Sequence, residues 1–451
     1  MSGILFFHSK NWQNNWRHQI VPSIIKMKST MEKQSELFVI PVMENPGAYI
    51  IYAPLENIAF IGNERAATII NKRINGIPLT QDESKSIVGQ YLKQIDAIAV
   101  TVPEQRPMGP ANSVVIILSQ ICNLACSYCF AQQARSSKVL PLASLKASID
   151  YIWSHAQNKA EFVFIGGGEP TVTWKELSWA IEYIDSSKPS EKEVDITLTT
   201  NATLLSEDRI RFLKEHKVSV TISFEVLPRI QNSQRKGINL KHGTFDIVDK
   251  AIKCMGKYGL LCTIRSTITR LNVDLMPEMV TFAHEHYGFI KKLHFEPVSS
   301  CDDNDEAFYQ HYLSSFFEAK RIGDTFGIDV YNSVSNSINT IKSRFCRGEF
   351  CITPGGDIVS CHRLSSENVN HFETVHYGYV DDHIHIKKEE QESALALFNQ
   401  KREECDGCFA KWHCAGGCPA ERLIHTPEQR KLKCWFTQAI IAKTLYNKVK
   451  F

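Results

Sequence analysis

Three kinds of stretch are missing from this sequence of 451 residues, and each absence excludes a class of protein. No apolar run approaches the roughly 18 residues that a membrane-spanning helix needs, so no membrane partner is expected. The N-terminus begins MSGILFFHSK, and its apolar run ILFF is too short for a secretory signal, which favours a cytoplasmic location. Internal repeats and low-complexity tracts are also lacking, which argues against a solenoid or a disordered chain.

An excess of either charge is absent as well. The 51 lysine and arginine residues nearly balance the 49 aspartate and glutamate residues, which leaves a formal net charge of +2. A dedicated nucleic-acid-binding protein would carry a strong basic excess, so no nucleic-acid partner is expected. Hydrophobic residues make up 43% of the chain and charged residues 22%, which is typical of a globular protein with a sizeable core. The length predicts about three domains.

Cysteine, in contrast, is present in unusual number. The 14 cysteines of a large cytosolic chain indicate metal binding or redox chemistry more than disulfides. Three of them lie between positions 122 and 129, and eight lie between positions 346 and 434. The isolated Cys254, Cys262 and Cys301 are interpreted as buried structural thiols. The two groups are therefore the candidate metal-binding parts of the chain.

The first part of the chain contains a small unit of strands followed by helices. Residues 37–42, 48–55 and 57–62 have the β-branched and aromatic content of short strands. Residues 63–74 and 82–95 have the spacing of two amphipathic helices. This order favours a small N-terminal winged-helix-like domain over residues 1–105, closed by the linker VPEQRPMGPANS.

Strand and helix patterns alternate from residue 113 onward. Six strand candidates, from SVVIIL at 113–118 to KKLHFEPV at 291–298, are each followed by a helix candidate. Such alternation predicts an α/β fold with a parallel sheet covered by helices. Six units predict a partial (β/α)6 TIM-like barrel over residues 106–330, and an incomplete barrel leaves one side open for a large substrate. Residues 331–451 have weak periodicity and predict a Cys-rich domain held together by metal.

Cys122, Cys126 and Cys129 directly follow the first strand of the alternating region. The loops at this end of the strands carry the active site in β/α barrels. A zinc or iron–sulfur site normally has four protein ligands, so three cysteines leave one iron of a cluster open to a small molecule.

The second strand is followed by IGGGEP at 165–170. Gly166, Gly167 and Gly168 allow the backbone to approach a ligand closely. Glu169 adds a charge that could hold an amine, and Pro170 stiffens the turn into the next helix. Glycine-rich loops after strands are common, so the signal comes from the pairing of this loop with the cysteines on the preceding one.

The pattern CxxxCxxC, with the aromatic Tyr128 before its last cysteine, and the segment IGGGEP resemble the radical S-adenosylmethionine (radical SAM) enzymes. The resemblance implies a [4Fe–4S] cluster whose open iron is ligated by the amino and carboxylate groups of S-adenosylmethionine. Reduction would break the sulfonium bond and give a 5′-deoxyadenosyl radical that abstracts a substrate hydrogen. Iron–sulfur potentials reach about −700 mV, and a low-potential donor such as flavodoxin or ferredoxin is implied.

The same resemblance implies contacts to S-adenosylmethionine at the ends of the third to sixth strands, in LTTNATLL, TISFE, IRSTIT and FEPV. The third and fourth strands correspond to contacts with its ribose and methionine parts. The fifth offers an arginine that resembles one paired with its carboxylate, and the sixth corresponds to the adenine region. The residues implied, in chain order, are Thr200, Asn201, Ser223, Glu225, Arg265 and Val298.

The C-terminal cysteines resemble the SPASM domain, an auxiliary iron–sulfur module of radical SAM enzymes that mature peptides and proteins. The resemblance implies two auxiliary [4Fe–4S] clusters. Seven ligands follow from it, the first four for one cluster and the last three for the other: Cys405, Cys408, Cys414, Cys434, Cys346, Cys361 and Cys418. The fourth ligand of the second cluster stays open, and Cys351 is the candidate. Taken without the resemblance, the cysteines from 405 to 418 could hold structural zinc.

The sulfatase-maturing members of this subgroup have an aspartate that acts as a base directly after the corresponding cysteine. This sequence has His362 at that position instead. A histidine can accept a proton near neutral pH, so His362 is the candidate catalytic base. The departure disfavours sulfatase maturation. The loop at 226–243 carries Arg229, Arg235, Lys236 and Lys241 and could hold an acidic peptide.

The resemblance covers most of residues 113–436 and implies modification of a ribosomally made precursor peptide, with a C–C, C–O or thioether crosslink as product. The N-terminal unit resembles the element that binds a leader peptide by adding it as a strand to a sheet edge. A sulfatase-maturase-like modifier of a folded protein, a peptide epimerase and a small-molecule radical enzyme stay open. A zinc-stabilised binding module without catalysis is the alternative from another class, and it would leave IGGGEP unexplained.

Overall fold

The computed structural model describes residues 36–98, 112–239, 243–299, 304–400 and 403–450. It divides into two compact units. The smaller comprises Met1–Val102, Arg402–Trp412 and Val449–Phe451, and the larger comprises Pro103–Lys401 and His413–Lys448. Cys301, Lys241 and most of the predicted linker lie outside the described residues. Within the described ranges, no helix has the length and apolar character needed to cross a membrane.

The smaller unit contains a three-stranded antiparallel sheet in the order β1 (Phe38–Pro41), β2 (Ala48–Ala53) and β3 (Ile58–Asn63). Three helices follow: α1 (Glu64–Ile74), α2 (Gln81–Lys85) and α3 (Ile87–Ala97). The predicted single helix over 82–95 is wrong, because Ser86 has extended backbone angles. Its hydroxyl accepts the Gly89 amide, so Ser86 ends α2 and caps the start of α3.

The larger unit is built on an 11-stranded sheet. Seven of its neighbouring strands are parallel and have the order β12-β11-β10-β8-β7-β6-β4, and an eighth parallel strand from the C-terminal region lies beside β4. Their bounds are β4 (Ser113–Ile116), β6 (Lys159–Phe164), β7 (Glu193–Thr200), β8 (Ser219–Ser223), β10 (Cys262–Ile268), β11 (Lys292–Pro297) and β12 (Asp329–Tyr331). A separate two-stranded ribbon pairs β5 (Leu124–Cys126) with β9 (Arg235–Gly237).

Helices follow the first six parallel strands in the predicted positions, which confirms the α/β fold. They are α4 (Leu142–His155), α5 (Trp174–Ser187), α6 (Glu207–Glu215), α8 (Phe245–Tyr258), α9 (Met276–His286) and α10 (Glu306–Phe326), with a short α7 (Pro228–Gln234) before β9. The seventh strand, β12, has three residues and was not predicted, since so short a segment shows no periodicity. Cys254 and Cys262 are half-buried against this core, so they are less buried than expected.

The sheet continues past the predicted boundary at 330. Strand β13 (Cys351–Ile352) runs parallel to β4, and β14 (Asp357–Val359), β15 (His376–Val380) and β16 (Ile384–Ile386) follow as an antiparallel extension. The remaining helices are α11 (Ser333–Ser337), α12 (Phe372–Val375), α13 (Lys388–Ala396), α14 (Lys411–Cys414), α15 (Pro419–Ile424) and α16 (Pro427–Val449). Phe436 and Ile440 of α16 are fully buried in the main core. The region expected to be irregular therefore contributes strands and a long helix.

The two faces of the parallel strands differ in character, because side chains alternate across a sheet. One face presents buried apolar residues such as Leu198 and Ile222, which pack in the core with the helices. The alternate residues, such as Thr199, Thr221 and Ser223, are polar and only half-buried. This polar face is the candidate binding surface.

Candidate active site

The three-cysteine segment follows β4, as predicted, and Cys126 ends the short strand β5 within it. Cys126 is buried, and Cys122 and Cys129 are half-buried. Strand β9 braces the segment, since Cys126 stands directly opposite Arg235 in the ribbon. The Ser127 amide extends this pairing by donating to the Gln234 carbonyl at 2.9 Å. The middle cysteine is thus held by a second part of the chain.

Two arginines lie beside these thiols. Burial raises the pKa of the Cys126 thiol to about 11, and the charge of Arg235, whose Nη1 is 4.0 Å from the sulfur, opposes the rise. Burial also raises the pKa of Cys122, and the nearby Arg135 opposes that rise. The Arg135 guanidinium is 3.7 Å from the Cys129 sulfur. Because metal ligation requires the thiolate, the arginines favour the form that binds metal.

The glycine loop after β6 packs against the start of the cysteine segment. A Cβ on Gly168 would lie 1.8 Å from the Ile121 carbonyl oxygen, and one on Gly167 would lie 2.4 Å from the Ile117 side chain. Gly166 differs, since it has a φ of +76° and a Cβ there would meet no atom within 4 Å. The first glycine therefore borders open space, and the next two allow close contact with the cysteine segment.

Glu169 is brought together with the predicted residues of the third strand. One of its oxygens accepts hydrogen bonds from Thr171 and from the Thr200 hydroxyl at 2.6 Å, and the other accepts the Asn201 amide at 2.7 Å. Pro170 begins the 3₁₀ helix Pro170–Thr173. The hydrogen bonds of the buried Glu169 carboxylate thus link the turn at Pro170–Thr173 to the end of β7. Its second oxygen has one protein donor and retains acceptor capacity toward an amine.

Glu225 has a different environment from the one expected. It is completely buried, and one oxygen accepts hydrogen bonds from the Tyr128 hydroxyl and from Arg235 Nε. The other oxygen accepts Ser266 Oγ at 2.5 Å and Asn272 Nδ2 at 3.4 Å. Both oxygens are engaged by protein groups, so a direct cofactor contact would have to replace one of these bonds. The hydrogen bond from its hydroxyl to Glu225 also fixes the orientation of Tyr128.

Four side chains form a row across neighbouring strands on the polar face. The register places Ser223 beside Arg265, Arg265 beside His294, and His294 beside Tyr331. The rings of His294 and Tyr331 stack, with centroids 4.7 Å apart. Ser223 and Arg265 were predicted from the sequence. His294 and Tyr331 were missed, although the alternation in KLHFEP places His294 on the same face as Arg265.

Glu296 lies one step further along the same face and was also missed. Its carboxylate is 2.9 Å from His294 Nε2. Burial opposes ionisation, but the hydrogen bond with His294 and the charges of Arg265 and Lys433 lower the pKa of Glu296 to about 2. Val298, which was predicted, follows β11, is buried and donates its amide to the Ile268 carbonyl at 2.8 Å. The face therefore carries fixed charges of both signs.

The cysteines predicted for the second auxiliary cluster lie close together in the larger unit. Cys346, Cys351, Cys361 and Cys418 all pack in one apolar cluster that includes Ile117 of the loop after β4. Burial raises the pKa of Cys346 to about 11 and that of Cys361 to about 12, and Cys418 adds to both. Cys351 is completely buried in β13. Because Cys351 packs with the other three cysteines, it stays the candidate fourth ligand.

The cysteines predicted for the other auxiliary cluster are divided between the two units. Cys405 and Cys408 belong to the smaller unit, where the Cys408 amide donates to the Cys405 carbonyl at 3.1 Å. In the same unit the Glu36 carboxylate binds Lys411 and the Trp412 indole, each at 2.6 Å. The other two residues of the predicted set belong to the larger unit: Cys414 and Cys434.

His362 is positioned by a carboxylate that the sequence did not reveal. Its Nδ1 is 2.8 Å from a Glu349 oxygen, and its amide donates to the other Glu349 oxygen at 2.6 Å. The ring of His362 also contacts that of Phe130, edge to face, with centroids 6.5 Å apart. Because Phe130 directly follows Cys129, the fold places His362 beside the three-cysteine segment. Because Nδ1 faces Glu349, Nε2 is the ring nitrogen that points away from this carboxylate.

Comparison with known proteins is consistent with this geometry. Residues 116–283 match the model of the Radical SAM superfamily. The chain is 22% identical over 272 residues to a cysteine-type anaerobic sulfatase-maturating enzyme of Clostridium novyi (strain NT), covering 54% of this chain and 71% of the relative. It is 20% identical over 340 residues to the radical SAM cyclopropyl synthase TigE of Paramaledivibacter caminithermalis, covering 68% and 67%.

Among solved structures, the chain resembles native anSMEcpe with bound AdoMet and the Kp18Cys peptide. The TM-score is 0.62 at 20% sequence identity, and the match covers 74% of this chain and 98% of that chain. The two proteins therefore share a fold.

Proposed function

Since the chain belongs to the radical SAM superfamily, whose model matches residues 116–283, we propose that it modifies a ribosomally made precursor peptide. The product is a C–C, C–O or thioether crosslink. The observation that carries this proposal is the contact between His362 and Phe130. Through it a histidine of the C-terminal cysteine region stands at the three-cysteine segment, where a radical would be generated.

Cys122, Cys126 and Cys129 are the proposed ligands of the first [4Fe–4S] cluster. The donor set fits this group, since three thiols lie on one segment and the glycine loop that packs against the start of this segment borders open space at Gly166. When bound, the reduced cluster and S-adenosylmethionine would supply the 5′-deoxyadenosyl radical that takes a substrate hydrogen. Arg265, half-buried on the polar face, is the proposed partner of the S-adenosylmethionine carboxylate.

The smaller unit is the proposed binding site for the leader part of the peptide. Its sheet has the order β1-β2-β3, so β3 pairs on one side only within the described residues. An extended peptide can add to such an edge by main-chain hydrogen bonds. The helices α1 to α3 follow this sheet directly, which is the reason for the winged-helix-like assignment of this unit.

His362 is the proposed base. A crosslink removes two hydrogens from the peptide, and one leaves as a hydrogen atom to the 5′-deoxyadenosyl radical. The other leaves as a proton and an electron when the new bond forms. The proposed acceptor of this proton is Nε2 of His362, a role supported by the contact between Nδ1 and Glu349, which orients the ring. The auxiliary clusters are the proposed acceptors of the electron, which makes the net oxidation balance.

A second candidate function is oxidation of a side chain in a folded protein partner. The relative from Clostridium novyi is a sulfatase-maturating enzyme, which favours this candidate. The presence of His362 where such enzymes have an aspartate counts against it. The two functions differ in the molecule that is modified, so an assay with both kinds of substrate separates them.

The first experiment measures iron, sulfide and zinc per chain after anaerobic reconstitution. The wild type is expected to hold about 12 irons, and the Cys122→Ala/Cys126→Ala/Cys129→Ala variant about 8. The matched control is Cys254→Ala, a thiol outside both cysteine groups, which should leave the iron content unchanged. Zinc without iron would contradict the proposal and favour a zinc-stabilised binding module.

The second experiment incubates the enzyme, S-adenosylmethionine and a reductant with peptides encoded by short reading frames beside the gene. Crosslinking is expected to lower the peptide mass by two hydrogens, with 5′-deoxyadenosine formed in proportion. Unchanged mass with deuterium uptake from heavy water would indicate an epimerase. Modification of a folded protein in place of these peptides would favour the second candidate.

A further inference from the structure

A half-buried lysine in the second turn of α16 has no part in the function proposed above. Lys433 lies between Leu432 and Phe436, which pack in or against the main core, and its Nζ is 5.9 Å from the centre of the Phe436 ring. Across the ranges that the structure describes, Nζ has no hydrogen bond and no carboxylate oxygen within 4 Å. Such an ammonium group has lost part of its hydration without gaining an ion pair.

The packing of Phe436 places this turn of α16 near the end of β11. Its ring is 5.2 Å from that of Tyr312 in α10, and the Tyr312 hydroxyl donates to the Phe295 carbonyl of β11 at 2.7 Å. The next residue of β11 is Glu296, whose carboxylate belongs to the polar face. Burial opposes the ionisation of Glu296, and the charge of Lys433 is one of those that lower its pKa. Lys433 therefore adjoins the polar face.

Two carboxylates near Lys433 are already engaged by other groups. Glu421 of α15 is 3.1 Å from Arg363, and the charge of Lys433 helps to lower the pKa of Glu421 against the effect of burial. Glu296 is 2.9 Å from His294 and accepts a backbone amide at 3.0 Å. The lysine thus has carboxylates in its surroundings, but their direct bonds go to other partners.

The charges of this corner do not balance. Its fixed cations are Arg265, Arg363 and Lys433, and its carboxylates are Glu296 and Glu421. His425 also adjoins Glu421, and burial lowers the pKa of this histidine, which favours its neutral form. One positive charge is therefore in excess even when both histidines are neutral. Because Arg265 is assigned to S-adenosylmethionine, Lys433 is the cation that an incoming anion would meet.

We propose that Lys433 binds a carboxylate of the peptide, either an aspartate or glutamate side chain or the C-terminal carboxylate. This inference rests on the proposed function, because it takes a peptide as the substrate. A carboxylate carries one negative charge and so matches the excess of one. Arg363, which binds Glu421 beside Lys433, directly follows His362 in the chain. The site would therefore anchor the peptide close to the proposed base.

Cys434, the next residue of α16, supplies the alternative role for this lysine. Cys434 is a proposed cluster ligand, so Lys433 could serve that cluster in place of a peptide. Consecutive residues of a helix project about 100° apart, and Cys434 is exposed whereas Lys433 is half-buried toward Phe436. The two side chains therefore point in different directions, which favours the peptide.

The kinetic test uses the peptide that loses two hydrogens in the assay described above. Lys433→Gln is expected to raise its KM roughly tenfold and to leave kcat nearly unchanged, because the ion pair is lost in the ground and transition states alike. Lys433→Arg keeps the charge and should stay nearer the wild type. Peptides with each acidic residue changed in turn to its amide, and one amidated at the C-terminus, identify the carboxylate that is bound.

The peptide that lacks the bound carboxylate completes a double-mutant cycle. Its KM should be equally high with the wild type and with Lys433→Gln, since neither pair can form the ion pair. The matched control is Lys443→Gln, which removes a lysine of α16 that lies 5.7 Å from the Tyr446 ring, about 15 Å further along the helix. It should leave KM unchanged.

Two results would overturn the proposal. One is a KM for Lys433→Gln that equals the wild-type value with every peptide. The other is a loss of about four irons in Lys433→Gln, or weaker binding of S-adenosylmethionine by this variant, together with equal effects on acidic and amidated peptides. The second result would assign the lysine to a cluster or to the cofactor.

A second measurement needs no turnover, so it separates this inference from the proposed function. Saturation-transfer NMR is recorded on the reconstituted full chain with S-adenosylmethionine and without reductant. The probes are acetyl-Gly-Glu-Gly-amide, acetyl-Gly-Gln-Gly with a free C-terminus, and acetyl-Gly-Gln-Gly-amide. We expect a signal from at least one of the two carboxylate probes, lost in Lys433→Gln and kept in Lys443→Gln, and none from the uncharged probe.

The outcomes of the NMR measurement are distinct. The probe that gives the signal tells a side-chain carboxylate from a C-terminal one. Equal signals from the charged and uncharged probes, or a carboxylate signal that persists in Lys433→Gln, would overturn the carboxylate site. A signal that depends on Lys433, combined with failure of every peptide to be modified, would support the site and reject the proposed crosslinking.

Discussion

Gly166 and Gly168 are two positions apart and are glycine for different physical reasons. A Cβ at Gly168 would collide with the backbone of Gln120 and Ile121, which cannot move aside without shifting the cysteine segment. A Cβ at Gly166 would enter open space, and the cost there is the positive φ, about 1–2 kcal/mol for a residue with a side chain. The two glycines therefore allow separate tests of packing and of ligand space.

We expect Gly168→Ala to lose about four irons per chain, because the glycine loop can no longer pack against the residues before Cys122. Gly166→Ala should retain the iron but bind S-adenosylmethionine roughly tenfold more weakly, since its methyl group would enter the open space that borders the glycine loop. Iron analysis and equilibrium dialysis with labelled S-adenosylmethionine give the two readouts. Wild-type affinity in Gly166→Ala would show that the cofactor does not use this space.

At the scale of elements, the pairing of β4 with β13 joins the strands of the β/α units to the C-terminal region. The Val115 amide donates to the Phe350 carbonyl at 2.9 Å, and the Ile117 amide donates to the Ile352 carbonyl at 3.0 Å. Ile352 is completely buried in the same core as the helices of the β/α units. Strand β4, which precedes the cysteine segment, is therefore an interior strand of the sheet because of β13.

We expect Ile352→Ala to lower the free energy of unfolding of the larger unit by about 2–4 kcal/mol, because it leaves a cavity where β13 pairs with β4. Urea unfolding followed by tryptophan fluorescence and by circular dichroism should shift together. The control is Ile386→Ala in the edge strand β16. Because the side chain of Ile386 is only half-buried, its loss should lower the free energy of unfolding by less. Separate transitions for the two probes would mean that residues beyond 330 fold independently, as the predicted domain boundary implies.

At the scale of the whole molecule, the two groups of cysteines differ in their proposed tasks. The first group is proposed to hold the cluster that generates the radical, and the C-terminal group is proposed to hold the clusters that accept the electron released when the crosslink forms. Cys361 and His362 are adjacent in sequence, and His362 contacts Phe130 beside Cys129. The proposed proton acceptor therefore adjoins both groups.

We expect Cys408→Ala and Cys414→Ala each to abolish crosslinking while S-adenosylmethionine cleavage continues without coupling to product. The reason is that, in the proposed mechanism, the first electron enters at the three-cysteine site and the second leaves through clusters held by the C-terminal cysteines. The assay quantifies 5′-deoxyadenosine and crosslinked peptide in the same reaction. Crosslinking at the wild-type level in both variants would reject this electron route, and Cys254→Ala controls for the loss of a thiol elsewhere.

The sequence by itself determined the features that depend on neighbouring residues. The six strand–helix units follow from apolar periodicity, and the cysteine and glycine segments fall in loops after strands because such segments interrupt that periodicity. These signals depend only on neighbouring residues, so they can be recognised without knowledge of the fold. The break at Ser86 was missed because a serine within an amphipathic pattern reads equally well as helix interior or as cap.

Only the tertiary structure decided the features that depend on distant partners. Strands β12 to β14 have two or three residues, too few for a period, and they exist because longer strands offer them hydrogen bonds. Glu225 was expected at the cofactor, yet its four donors come from separate segments of the chain. His362 meets Glu349 and Phe130 for the same reason. Contacts between residues far apart in sequence leave no periodic pattern, because they arise only when the sheet is assembled.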